Sequence, residues 1–117
     1  MLTVKIKNPV TIGKLQGPYE ASIANRNTWV EYSYHLDRMV KFFGPDRSPD
    51  DVFRQDVANF RAHLVEHHNY PEVRASRAIS VGSSYWQWMN DMGFATTNPF
   101  LRQRIPYEQR EVQVIAV

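Results

Sequence analysis

Residues 70–100 read YPEVRASRAISVGSSYWQWMNDMGFATTNPF, and no other stretch constrains the fold as strongly. Ala75, Ala78, Ile79, Gly82, Trp86 and Met89 recur with a period near 3.6 residues, which is the signature of one helix face. Val81, Tyr85, Trp88 and Met92 add a second apolar stripe beside the first. A helix that is apolar over so wide an arc must be covered by several neighbours. Pro71 suits the first helical turn, where a missing N–H costs nothing. Gly93 suits the left-handed position that ends a helix, and Asn98-Pro99 then predicts an extended turn.

The N-terminal half of this helix has a different chemistry. Arg74, Ser76, Arg77, Ser80, Ser83 and Ser84 are guanidiniums and short hydroxyls without a carboxylate among them. Serines form helices poorly, so this run predicts a rod anchored at its aromatic end that offers hydrogen-bond donors to an anion at the other. The competing reading is a solvated face of small residues chosen for close packing.

Two further helices precede it. Asn25-Arg26-Asn27-Thr28 supplies capping residues, and Trp29, Tyr32, Leu36, Met39, Val40 and Phe43 follow on one face until Gly44-Pro45. Helical spacing turns these aromatics inward as core. The opposite face carries Glu31, Asp37, Arg38 and Lys41. Residues 45–53 read as a turn, with Asp50 and Asp51 as cap residues. A second helix is predicted over residues 54–68, burying Val57, Phe60 and Leu64, with Ala58 and Val65 at the margin. Residues 2–7 and 10–12 alternate like short strands, punctuated by Asn8-Pro9, Gly13 and Gly17-Pro18. Residues 1–24 therefore read as a strand-like or irregular arm, and its lysines Lys5, Lys7 and Lys14 serve either phosphate contact or solubility.

At 117 residues the chain is one domain or one domain with tails. The net charge is only +2, so any anion-binding surface is local and not a property of the whole field. There are no cysteines, which excludes disulfides and thiolate metal sites and fits a reducing cytoplasm. No apolar run has the length of a signal peptide or a membrane span. His63-Leu64-Val65-Glu66-His67 fits the inverted zincin pattern H-x-x-E-H. On a helix its two histidines share a face, with Glu66 as the base. The pattern is short and lies at a helix end, where histidine also suits the dipole. No phosphate loop, nucleophile elbow or acidic metal cluster accompanies it, so no catalytic residue and no cofactor is assigned.

The order of these elements resembles the N-terminal core-binding domain of tyrosine recombinases, the phage-integrase and Xer-like family. The residues that carry the resemblance are Thr28-Trp29, Tyr32, Leu36, Met39 and Phe42-Phe43-Gly44 in the first helix. Asp56-Val57, Phe60 and Leu64 follow in the second. Arg77, Ile79-Ser80, Tyr85-Trp86-Gln87-Trp88-Met89, Gly93 and Asn98-Pro99 complete it. It spans residues 25–106. Two departures stand out: Phe53 occupies the usual Thr/Ser cap, and Gly82 replaces a bulky apolar residue. Residues 112–117 are strand-like where a further helix start is expected.

The resemblance implies an all-α, SAM-like bundle of about four helices with strand-like terminal segments. It divides the chain into an arm at 1–24, a helical DNA-binding domain at 25–100 and a linker at 101–117 toward a C-terminal catalytic domain. It implies duplex DNA at a recombination half-site as the partner, with the full-length protein tetrameric on DNA. Carried over residue by residue, it points to Arg26, Asn27, Thr28, Arg74, Ser76, Arg77 and Ser80 as DNA contacts, with Arg102 and Arg104 tracking phosphates. Phosphate contacts would position the domain, and Arg74 or Arg77 would reach a guanine edge. Two other classes compete: a helical protein-interaction module at the aromatic end of the long helix, and a small metal-dependent hydrolase at His63, Glu66 and His67.

Overall fold

The Asn25 side chain begins the first long helix as its residue type predicts. Its carbonyl oxygen accepts from the backbone N–H groups of Asn27 at 2.8 Å and Thr28 at 3.2 Å, satisfying two of the donors a helix start leaves open. In the computed structural model, which describes residues 10–101, four α-helices follow one another: α1 (Gln16–Ser22), α2 (Arg26–Phe43), α3 (Arg54–His67) and α4 (Glu72–Asp91). A 3₁₀ turn, Pro49–Asp51, lies between α2 and α3. No strand occurs among the described residues. The architecture is the small all-helical bundle expected.

Gly44, with φ 105°, ends α2, and Gly93, with φ 84°, follows α4; both occupy backbone that side chains other than glycine avoid. Phe53 opens α3 without a side-chain cap. The Asp56 carboxylate compensates by accepting from the Phe53 N–H at 2.9 Å, which is half of a capping box. Arg47 donates to the same carboxylate at 3.0 Å.

α4 packs on both α2 and α3, and these two pack on each other. The first α4 stripe is fully buried, from Ala75 to Met89, and Val81 and Tyr85 of the second are buried too. Trp88 is half-buried, and Met92 is exposed. Met92 is therefore not core: it caps the helix after Asp91, where the face has already turned outward. Val65 of α3 is exposed as well. Among the described residues, no helix is long and apolar enough to cross a membrane.

The described part of the proposed arm, residues 10–24, is corrected. It is helical over Gln16–Ser22, and Ile12, Leu15 and Tyr19 are buried in the common core. Pro18 does not break α1, because it sits in the first turn, where its missing N–H has no intrahelical acceptor anyway. The strand-like reading of residues 10–12 fails for a related reason. Ile12 N–H donates to the Arg47 carbonyl at 2.9 Å and Gly13 N–H to the Pro45 carbonyl at 3.0 Å, so the segment is stitched to the α2–α3 connection without a ladder. The Tyr85 hydroxyl closes it by donating to the Ile12 carbonyl at 2.6 Å. The strand-like readings of residues 2–7 and 112–117 lie outside the described residues.

The α4 terminus folds back over the same core. Asn98 donates to the Ser83 carbonyl at 3.1 Å, and Asp50 accepts from the Thr96 backbone N–H and hydroxyl at 2.9 and 3.2 Å. Asp50 thus ties the post-α4 turn to the 3₁₀ turn, a role beyond the cap that its sequence position suggests. Phe100 is brought onto α4 at Gly82: a Cβ there would lie 2.3 Å from the Phe100 ring. The absence of a side chain at Gly82 is what admits this ring.

Candidate nucleic-acid interface

The Arg/Ser half of α4 lies against the middle of α2. Arg77 makes a forked pair with Glu31, Nε to Oε2 at 2.5 Å and Nη2 to Oε1 at 2.8 Å. This holds the Glu31 carboxyl below its usual range and raises Arg77 further. One turn earlier, Arg74 has no carboxylate at ion-pairing distance among the described residues. Its guanidinium instead lies over the rings of Tyr70 at 4.5 Å and Tyr34 at 5.4 Å. Arg38 of α2 joins the same stack, 5.5 Å from Tyr34 and 5.8 Å from Tyr70, and donates to the Tyr34 hydroxyl at 3.2 Å. Aromatic rings beside these guanidiniums hold them in place without removing their charge, and the Arg38 Nη1 also lies against the His68 ring.

Two open depressions meet at Tyr34. One, about 650 Å³, lies between α2 and α4 and includes Val30, Glu31, His35, Val73, Arg74 and Arg77. The other, about 450 Å³, lies between α2 and α3 and includes Asp37, Arg38, Lys41, Phe42, His63 and His68. Together they bring Arg38, Lys41, Arg74 and Arg77 onto one surface against Glu31 and Asp37. Residues 10–101 carry nine basic and ten acidic side chains, so this positive stretch exists by placement and not by composition.

Buried polar groups line its floor. His35 is 6% exposed, with its Nε2 4.0 Å from Glu31 and its Nδ1 without a hydrogen-bond partner. The Tyr70 hydroxyl is buried beside that of Tyr34, and Arg38 Nε is buried without a hydrogen-bond partner. Burial pushes the His35 pKa down. Glu31 opposes this, while Arg74, Arg77 and Arg38 reinforce it. A histidine held neutral in the fold but free to charge when unfolded binds fewer protons in the native state, so stability falls as pH drops through and below about 6.5. The melting temperature of a His35→Phe variant should therefore depend less steeply on pH between 7.5 and 5 than that of the wild type. Parallel curves would remove His35 from the acid response.

The structure separates the sequence-predicted contacts. Arg74 and Arg77 share the α2–α4 depression. Ser76 and Ser80 are half-buried and do not line it. Arg26 is drawn to Glu20 of α1 at 3.0 Å, and the Asn27 and Thr28 backbone donors are already taken by Asn25. Ser83 is buried and bonded to Asn98. Arg102 and Arg104 lie outside the described residues. Tyr34, His35, Arg38 and Tyr70 were not among the predicted contacts; the only sequence signal for them is the polar face of α2 that already held Arg38 and Lys41. At the H-x-x-E-H stretch, the His63 ring lies 5.0 Å from that of His67 and 4.9 Å from that of His68. No group of three or more His, Asp or Glu side chains among the described residues is arranged to hold a metal ion. The aromatic end of α4 is covered by α1, with Tyr19 5.2 Å from Trp88.

No protein-family model, curated protein or solved structure matches this chain. The geometry of the α2–α4 face is therefore the ground for a functional reading.

Proposed function

We propose that this chain is a duplex-DNA-binding domain of the kind that precedes the catalytic domain in tyrosine recombinases, with strand cleavage performed by a domain C-terminal to it. The observation that carries the reading is the guanidinium row Arg38, Arg74 and Arg77, gathered from two helices onto an open face, with Arg38 and Arg74 backed by Tyr34 and Tyr70 and Arg77 by Tyr32. Planar donors held at fixed spacing suit phosphate oxygens, which accept them two at a time. The helical bundle and the order of its elements support the same reading, and the partner it implies is duplex DNA, with assembly of the full-length protein on that DNA.

The test is a salt titration of duplex binding with wild type and the Arg74→Ala/Arg77→Ala variant. Affinity should fall linearly in log–log salt, and the variant should lower the slope by roughly 1–2, near 0.9 per lost phosphate contact. Absence of binding at low salt, or a variant with the wild-type slope, would sink the reading. A protein-interaction module is the second reading, favoured by the 81% exposed Val73 and the 65% exposed Val30 on the same face. It requires a partner whose binding is insensitive to salt and is weakened by Val73→Ser.

A further inference from the structure

The α2–α4 depression holds more donors than acceptors. Arg74 stacks on Tyr70 with no carboxylate partner among the described residues, His35 Nδ1 is buried without a hydrogen-bond partner, and the single carboxylate on the depression is Glu31. That carboxylate engages Arg77 through both oxygens, the geometry with which a phosphate engages a guanidinium. We propose that the depression is a seat for one phosphate group, and that Glu31 is a built-in stand-in which an incoming phosphate displaces from Arg77. The inference deepens the DNA-binding reading, because it makes Glu31 a determinant of how tightly the backbone is held.

The chemistry follows from the charges. A phosphate entering beside Glu31 meets a like charge, and an anion competing for Arg77 must break a forked pair before it gains one. Arg74 is free of this competition and gives the phosphate its first hold. His35 lies under the exchange: on its own helix it faces Glu31, Tyr34 and Arg38, and from α4 it faces Arg74 and Arg77. Exposed Val30 and Val73 at the rim leave the seat open to a phosphodiester as readily as to a free ion.

A Glu31→Gln substitution removes the competitor while keeping its shape, and Glu31 is exposed enough that the fold survives the change, as circular dichroism would verify. Affinity for a short duplex at fixed salt should rise about tenfold in Glu31→Gln, because juxtaposed like charges at an interface weaken binding. With Arg77→Ala in the background the gain should shrink to about twofold, since only long-range repulsion is then relieved. An equal gain in both backgrounds, or none in either, overturns the proposal. A second arm uses inorganic phosphate against chloride at constant ionic strength, read by the Arg77 Nε–H and His35 ring signals in NMR. If phosphate moves these signals, and more readily in Glu31→Gln, while duplex does not bind, the seat stands and the DNA reading falls. If duplex binds but Glu31→Gln changes nothing, the DNA reading stands and the seat falls. If neither probe engages, both fall.

Discussion

Replacing Trp86 by alanine should cost the domain about 3–5 kcal/mol, the range for emptying a buried indole. Trp86 is fully buried, meets Phe100 at 5.1 Å and Phe43 at 6.3 Å, and donates its N–H to the Pro49 carbonyl at 3.2 Å. The substitution opens a cavity between α4, α2 and the post-α4 turn, while the Pro49 carbonyl keeps the Val52 N–H as a donor at 3.3 Å, so the cost is set by the lost packing. Against the roughly 5–15 kcal/mol that holds a typical domain together, urea midpoints should shift by about a fifth or more. Trp86→Phe should recover much of the packing but not the hydrogen bond, and so fall between. An unfolding free energy for Trp86→Ala within about 0.5 kcal/mol of wild type, as for surface changes, would mean the indole is not the centre of the core.

The second large effect has a sign opposite to its usual one. Gly→Ala inside a helix ordinarily stabilises by about 1 kcal/mol. At Gly82 the added carbon would sit 2.3 Å from Phe100 Cε2 and 2.6 Å from Cζ. The ring has little room to retreat, being fully buried with Trp86 behind it and Phe43 6.2 Å away. Overpacking of this kind costs about 1–3 kcal/mol and should exceed the propensity gain, with Gly82→Leu worse. The diagnostic is coupling: in a Phe100→Ala background the same Gly82→Ala change should become neutral or stabilising, because the two residues share one volume. If Gly82→Ala stabilises the wild-type chain, the ring is not seated on the helix.

The three long helices were legible because each carries an apolar stripe, and two of them are also punctuated at both ends: Asn25 and Gly44 around α2, Pro71 and Gly93 around α4. α1 was not, because Gly17-Pro18 reads as punctuation unless the first turn is known to begin at Gln16. The core residues of this segment, Ile12, Leu15 and Tyr19, are spaced three and four apart, but two apolar residues and a tyrosine among turn signals do not outweigh a proline. Met92 was misjudged because periodicity gives a face without saying where its covering neighbour ends. In the candidate site, Arg74 and Arg77 stood out as an acid-free run, whereas their surroundings did not. Glu31 reaches Arg77 across 46 residues of sequence, and Tyr34 and Tyr70 come from different elements. Which helix faces meet is a tertiary fact, so neither the pairing of Arg77 nor the isolation of Arg74 could be read from spacing.

The bond from Tyr85 to the Ile12 carbonyl spans 73 residues, and this separation sets an order of events during synthesis. A chain made from its N-terminus has Ile12, Leu15 and Tyr19 in hand long before α4 exists to cover them. At about 5–20 residues per second the interval is roughly 4–15 s, during which α2 and α3 can pair but the first apolar segment has no final seat. α4, the last made of the four described helices, is thus the one that locks this earlier segment in place. A pause in translation before residue 85 would prolong the exposure of the start of the chain, not of its end.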